Sequence, residues 1–275
     1  RTRQGRAGLG AGFIGTVRAE NLAASPTVDF RSVDDPNPDR AQALAARCGT
    51  VATSRLVEVV DPERLDAVLI ASSTNTHATL LRRAADAGLA ALCEKPIDAS
   101  YQASLEAGEY VEARGARVMV DFSRRFDRDH AVLRDRVTSG AVGGLELLQL
   151  TSRGPEMPPL EYIAISGGIM RDSVVHFFDL ARWISGEDPV EVFASGSALA
   201  DPRIAQYDDV DTAVVSLRTA SGTLVQIDSM RRIGYGYDER IEAVGSTGLV
   251  VSTRNRAGGV EQYGAGSLTA DGLHP

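Results

Sequence analysis

The chain has 275 residues, of which 43% are hydrophobic and 24% charged, and a formal net charge of −8. Length and mix describe a globular protein of two domains. The acidic balance, without a basic tract or stripe, argues against a nucleic-acid or anionic-membrane partner. No apolar run nears the ~18 residues of a membrane helix, and residues 1–10 lack the apolar segment of a secretory leader. Two cysteines, Cys48 and Cys93, are too few for a disulfide framework. A reduced, cytoplasmic setting is expected.

In chain order, a short apolar piece around Leu9 precedes the glycine-rich turn GAGFIG. Residues 13–24 read as a helix ended before Pro26, 28–33 as a strand, and 39–48 as an alanine-rich helix stopped by Gly49. The wholly apolar run AVLIA at 67–71 suits a parallel strand buried on both faces. Residues 77–87 are helical and close on Gly88. A second buried strand at 89–93 ends at Glu94-Lys95-Pro96, followed by a helix at 100–114 and a strand at 117–121. This alternation predicts a doubly wound, parallel Rossmann sheet over residues 1–122.

After residue 122 the pattern changes. A helix at 128–138 leads to a strand at 145–152 and the loop GPEMPP. The helix following Gly167-Gly168 gives way to strands at 190–197, 211–219, 223–231, 239–244 and 249–252. Turn pairs such as Ser221-Gly222 and Thr247-Gly248 separate them, as hairpins require. Residues 123–275 are therefore predicted to form an α+β domain on a largely antiparallel, open sheet.

Gly10, Gly12 and Gly15 form G-x-G-x-x-G between a strand and a helix, with Phe13 and Ile14 inside the motif. The first glycine makes the turn, the second admits a pyrophosphate to the backbone, and the third packs helix on strand. The helix N-terminus presents unpaired N–H groups and a positive dipole to the phosphates. Asp35 follows Gly15 by twenty residues, where a carboxylate accepts from both ribose hydroxyls. With Asp34 beside it, NAD is expected rather than NADP, a preference that Arg31 or Arg40 would weaken. The first strand carries Gly5 and Gly8 where a buried parallel strand favours valine or isoleucine, so a frayed start is expected.

Asp172 and His176 stand four residues apart after Gly167-Gly168, so in a helix they share a face. A carboxylate beside an imidazole is a ready general base for removing a hydroxyl proton. The same spacing also suits a surface pair or a satisfied core histidine. Lys95, at the carboxyl end of a central strand, sits where open α/β sheets bind their ligands. Only four histidines and two scattered cysteines are present, so no metal site is expected.

Together, GAGFIG, STNTH at 73–77, CEKP at 93–96 and GGIMRDSVVHFFDLARW at 167–183 resemble the Gfo/Idh/MocA oxidoreductase family. TSRGPEMPPLEYIAISGG at 151–168, DDVDTAVVSL at 208–217 and YGYDERIEAVGSTG at 235–248 are similar to its inositol-oxidising branch. The resemblance spans nearly the whole chain. It implies an NAD-dependent dehydrogenase that oxidises a secondary ring hydroxyl of a cyclic polyol or sugar to a ketone.

By the same resemblance His176 takes the hydroxyl proton, Asp172 orients its ring, and Lys95 lies between nicotinamide ribose and substrate. Ser73, Asn75, His77 and Glu94 are implied at the cofactor, although Asn75 or His77 would equally serve as a helix cap. Arg153, Asp179 and Tyr235 are implied at the substrate, with bracing of the helix the other reading of Asp179. The strands from Glu191 onward are implied to hold subunits together in a homodimer or homotetramer. Three positions depart from the family pattern: Gly154 where a carboxylate is usual, Phe177 after the catalytic histidine, and Arg18 in the first helix. Family members continue past His274-Pro275 with further helices, so the chain is expected to be C-terminally truncated. The competing readings are an NAD-binding scaffold or sensor without turnover, and a family member working on another sugar or cleaving glycosides with transient NAD.

Overall fold

Six parallel strands carry the first of two units, Arg1–Phe122, in the computed structural model; the second unit is Ser123–Pro275. The described residues are 4–55, 60–234, 237–253, 259–264 and 267–272. The first unit runs β1 (Gln4–Leu9), α1 (Phe13–Ala24), β2 (Val28–Asp34), α2 (Pro38–Cys48), β3 (Val51–Thr53) and β4 (Ala67–Ile70). It continues with α3 (Thr74–Asp86), β5 (Ala90–Glu94), α4 (Tyr101–Glu112) and β6 (Val118–Asp121). The strand order β3-β2-β1-β4-β5-β6 puts the reversal of winding between β1 and β4, where such sheets open a crevice at their carboxyl ends.

Local chemistry explains these boundaries. All four residues of β4 are buried, as its unbroken apolar run requires. Asn37 caps α2 by accepting the N–H groups of Asp39 and Arg40, Pro38 occupies the first turn, and Gly49 closes the helix in the left-handed region at φ 63°. Burial pushes the Cys93 thiol up to about 12, so it packs as a neutral group in the core with Leu9, Ile70 and Leu81.

The expectation of a frayed first strand is corrected. All six residues of β1 pair with β2, and Arg6–Leu9 also pair with β4. Its glycines answer close packing: a Cβ on Gly5 would lie 2.7 Å from the Arg64 carbonyl, and one on Gly8 3.3 Å from the Phe30 ring. The three-residue β3 was not anticipated.

The second unit begins with a 3-10 turn at Ser123–Phe126, then α5 (Arg128–Thr138), β7 (Leu145–Arg153) and the single turn α6 (Leu160–Ile163). The Gly-Gly helix opens as a π turn, Met170–Val174, and continues as α7 (Val175–Ser185). β8 (Pro189–Ser197), a 3-10 turn at Pro202–Tyr207, β9 (Thr212–Thr219), β10 (Leu224–Met230), β11 (Asp238–Gly245) and β12 (Gly248–Thr253) follow. Two unanticipated strands, β13 (Gly259–Gly264) and β14 (Ser267–Gly272), extend one edge. The eight strands lie in the order β14-β13-β12-β11-β7-β10-β9-β8, antiparallel except where β7 meets β10.

Strand alternation separates the two faces of this sheet. Leu148 and Leu150 of β7, Val215 and Leu217 of β9, and Val225 and Ile227 of β10 are buried, in one core with Phe177, Leu180 and Ile184 of α7. Their neighbours Gln149, Thr151 and Arg153 share a register with Gln226, Asp228 and Met230 or with Arg240 and Asp238. Phe193, Val214 and Leu224 are exposed on β8, β9 and β10 (70%, 43% and 52%).

Candidate active site

At the glycine-rich turn, Gly10 sits at φ +107°, and a Cβ there would meet the Ala71 carbonyl oxygen at 2.4 Å. One on Gly15 would meet the Gly10 carbonyl at 2.2 Å, so these two glycines let the turn, β4 and α1 close on one another. Gly12 is different: nothing lies within 4 Å of its added Cβ, and no side chain caps α1 there. The first N–H groups of α1, from Phe13 and Ile14 onward, have no acceptor within the helix. Open space in front of an uncapped helix N-terminus is what a dinucleotide pyrophosphate requires, so the residues fit NAD.

Asp35 is buried and reaches back to this turn. Its carboxylate accepts the Ala11 N–H (2.8 Å), the Asn37 N–H (2.8 Å) and the Arg40 guanidinium (3.1 Å). Burial pulls the carboxyl upward, but those hydrogen bonds outweigh it and hold Asp35 below the ordinary carboxylate range. Burial and the Asp35 charge push neighbouring Asp34 up. Arg40 is committed to Asp35, which leaves acidic chemistry at the end of β2.

The remaining cofactor expectations divide. Ser73 and Asn75 are exposed at the start of α3. His77 is buried, with Nδ1 2.8 Å from the Pro96 carbonyl oxygen and Nε2 3.1 Å from that of Ser72. It ties the end of β4 to the turn carrying Lys95, so its ring braces that turn. Glu94 likewise turns inward. It accepts from Arg18 Nε (3.0 Å), which also pairs with Asp121 (2.7 Å). Burial and then the Asp121 charge push the Glu94 carboxyl up, with Arg18 opposing. Arg18, a departure from the family pattern, is thus the counter-ion of two buried carboxylates.

In the second unit a cleft of about 220 Å³ gathers Asp172, His176, Ser152, Glu156, Arg231 and Tyr237, with Arg124 on its wall. Asp172 lies in the π turn and His176 in the first turn of α7, so the expected shared face is reached through one widened turn; such turns recur at functional sites. Gly167 and Gly168 hold φ +80° and +85°, and Gly168 leaves room for the Asp209 carboxylate 3.1 Å from its would-be Cβ. The Asp172 carboxylate accepts from Tyr162 Oη (2.7 Å) and Arg231 Nη1 (3.0 Å).

Two residues expected at the substrate lie outside the lining of this cleft. Arg153 follows Ser152 by one position on β7, and alternation turns it to the other face of the sheet, where it pairs with Asp228 (2.6 Å). Asp179 is buried in a two-point pair with Arg125 (2.8 and 2.6 Å), so it braces α7 instead of facing the cleft. Tyr235 lies outside the described residues. The departures at 154 and 177 have packing causes: a Cβ on Gly154 would meet the Arg231 carbonyl at 2.8 Å, and Phe177 is wholly buried in the core.

Arg124, Glu156, Arg231 and Tyr237 were not anticipated. Arg124 pairs with Glu239, donates to Tyr237 Oη (3.2 Å) and stacks its guanidinium 5.1 Å from the Phe177 ring centre. A serine on the buried face of a strand, Ser152, was the one available signal for this wall. Among the described residues, no group of three or more His, Cys, Asp or Glu is placed to hold a metal, and no helix is long and apolar enough to cross a membrane.

Residues 7–122 match the oxidoreductase family with an NAD-binding Rossmann fold, and residues 130–251 match the GFO/IDH/MocA C-terminal domain. A myo-inositol 2-dehydrogenase of Thermotoga maritima is 41% identical over 249 residues, covering 90% of this chain and 75% of that protein. An inositol 2-dehydrogenase of Rhizobium meliloti is 39% identical over 267 residues, covering 97% and 80%. The crystal structure of a myo-inositol dehydrogenase from Corynebacterium glutamicum superposes with a TM-score of 0.88 at 38% identity, over 96% of this chain and 79% of that one.

Proposed function

Because the chain belongs to the GFO/IDH/MocA oxidoreductase family, we propose that it is an NAD-dependent dehydrogenase of cyclic polyols. It oxidises a secondary ring hydroxyl of an inositol-like substrate to a ketone. The observation that carries this reading is the pair Asp172 and His176 on the wall of one polar cleft. The Gly10–Gly15 turn would hold NAD, which would supply the acceptor for the hydride of the carbinol carbon. His176 takes the hydroxyl proton, and Asp172, held by Tyr162 and Arg231, supplies the fixed negative charge that favours the imidazolium formed. Lys95 polarises the hydroxyl as a cation. Glu156, Ser152 and Tyr237 offer hydrogen-bond partners to the remaining ring hydroxyls, in place of Arg153 and Asp179. Asp34 and Asp35 would repel a 2′-phosphate, so NAD is used rather than NADP. With Cys48 and Cys93 both free thiols, a reducing, cytoplasmic setting fits the chemistry.

The deciding experiment follows NADH absorbance with myo-inositol, scyllo-inositol, glucose and galactose. Turnover with an inositol that is lost in Lys95→Ala supports the reading. Tight NAD binding with no NADH from any of the four would favour a scaffold or sensor and overturn it.

We further propose that the exposed face carrying Phe193, Val214 and Leu224 joins copies of the chain as a homodimer or homotetramer. Light scattering should give a multiple of the 29.2 kDa chain mass, and a strict monomer at micromolar concentration would remove the proposal.

A further inference from the structure

Arg231 is only 4% exposed, yet it does not lie in the apolar core. It leaves the end of β10 and enters the space between two carboxylates. Nη1 donates to Asp172 Oδ2 at 3.0 Å and Nη2 to Asp209 Oδ2 at 2.9 Å. The second oxygen of Asp209 accepts the Ile169 N–H at 2.8 Å, directly after the Gly-Gly turn, and the second oxygen of Asp172 accepts from Tyr162. One guanidinium thus links the start of the π turn, through Asp209, to the carboxylate that shares the cleft with His176. Burying such a triad contributes little to stability compared with an apolar replacement, because desolvation offsets much of the attraction. Its retention at the cleft wall calls for another cause.

We propose that Arg231 is a positioning residue for His176: it fixes the Asp172 carboxylate and sets the net charge against which the imidazole takes up its proton. This rests on the reading of His176 as the base. Arg231, Asp172 and Asp209 together carry a net charge of −1. Other charged or titratable side chains of the same unit near this cleft are paired, exposed or neutral. Arg124 is matched by Glu239, Arg125 by Asp179, Glu156 and Arg171 are exposed, and the phenols Tyr162 and Tyr237 are neutral donors near pH 7. Within this unit the triad is the charged cluster that shares the cleft with His176. Removing the cation leaves −2 and stabilises the imidazolium, whereas neutralising Asp209 leaves zero and destabilises it. The two substitutions must move the same proton in opposite directions.

The test is histidine-labelled NMR titration of the full chain, with the His176 signal assigned by its loss in His176→Gln. Arg231→Met should raise the His176 midpoint by roughly one pH unit, Asp209→Asn should lower it by a similar amount, and Arg231→Lys should return it near the wild-type value. The acidic limb of kcat/KM should follow the same order. A merely structural role would weaken folding in all three without opposed shifts. Midpoints unchanged in both Arg231→Met and Asp209→Asn, or displaced the same way, overturn the proposal. If Arg231→Met does not fold, the sign of the Asp209→Asn shift decides alone, since asparagine keeps an oxygen for the Ile169 N–H. Opposed NMR shifts without NADH from any polyol would remove the dehydrogenase reading and leave Arg231 as the residue that sets His176. NADH formation without those shifts would do the reverse.

Discussion

Replacing His176 with alanine is expected to lower kcat for polyol oxidation by about 10²- to 10⁴-fold, the usual contribution of a positioned general base. The loss should fall on kcat more than on NAD affinity, because the dinucleotide motif Gly10–Gly15 belongs to the other unit. Folding should be kept: the residue is half-buried at the cleft, while its neighbour Phe177 carries the core packing of that turn. The acidic limb of the pH–rate profile should vanish together with the rate. Steady-state kinetics across pH 5–9 with unfolding midpoints as control make the measurement. A variant that keeps the wild-type magnitude and profile would show that the proton leaves by another route.

The second large effect is expected at the glycine-rich turn, where two glycines should behave oppositely. Gly10→Ala places a Cβ 2.4 Å from the Ala71 carbonyl oxygen and 2.7 Å from Ser72 Cα, at φ +107°, and both obstacles are backbone. The end of β4 must move, which should cost about 2–4 kcal/mol of stability from strain and lost packing combined. Gly12→Ala meets nothing within 4 Å at an ordinary φ of −74°, so its stability should stay within about 0.5 kcal/mol of wild type. Its methyl group instead fills the space in front of α1, so NAD affinity should fall while the fold persists. Urea unfolding and NAD titration on both variants separate the two effects. Equal destabilisation would mean that Gly12 also serves packing, and unchanged NAD binding in Gly12→Ala would move the cofactor away from this turn.

Much of this architecture is legible in local pattern. The helices at 13–24 and 128–138 begin and end where capping residues, glycine or proline and apolar spacing place them. The short β3 and the edge strands β13 and β14 offered too few patterned residues to read. The parallel pairing of β7 with β10 joins segments more than seventy residues apart and leaves no local trace. Side-chain roles were harder still. Motif proximity suggested Arg153, but strand alternation puts Ser152 in the cleft and Arg153 behind the sheet. Phe177 looked like a change at the site and is a core residue. A charged side chain is read as surface unless its partners are known. Those of Arg231 come from the π turn and from the loop before β9, so its burial was invisible until the chain folded.

The contact between Gly154 and the Arg231 carbonyl bears on how this site can change over time. Any side chain at 154 must displace the backbone that carries Arg231, by way of a Cβ only 2.8 Å from that oxygen. A carboxylate at 154 therefore requires that backbone to shift, and with it the clamp on Asp172. Mutational paths toward a new sugar are open at Glu156 and Tyr237, whose exposed side chains can vary without touching that clamp. The packing of one glycine thus channels the specificity of the cleft toward its solvent rim.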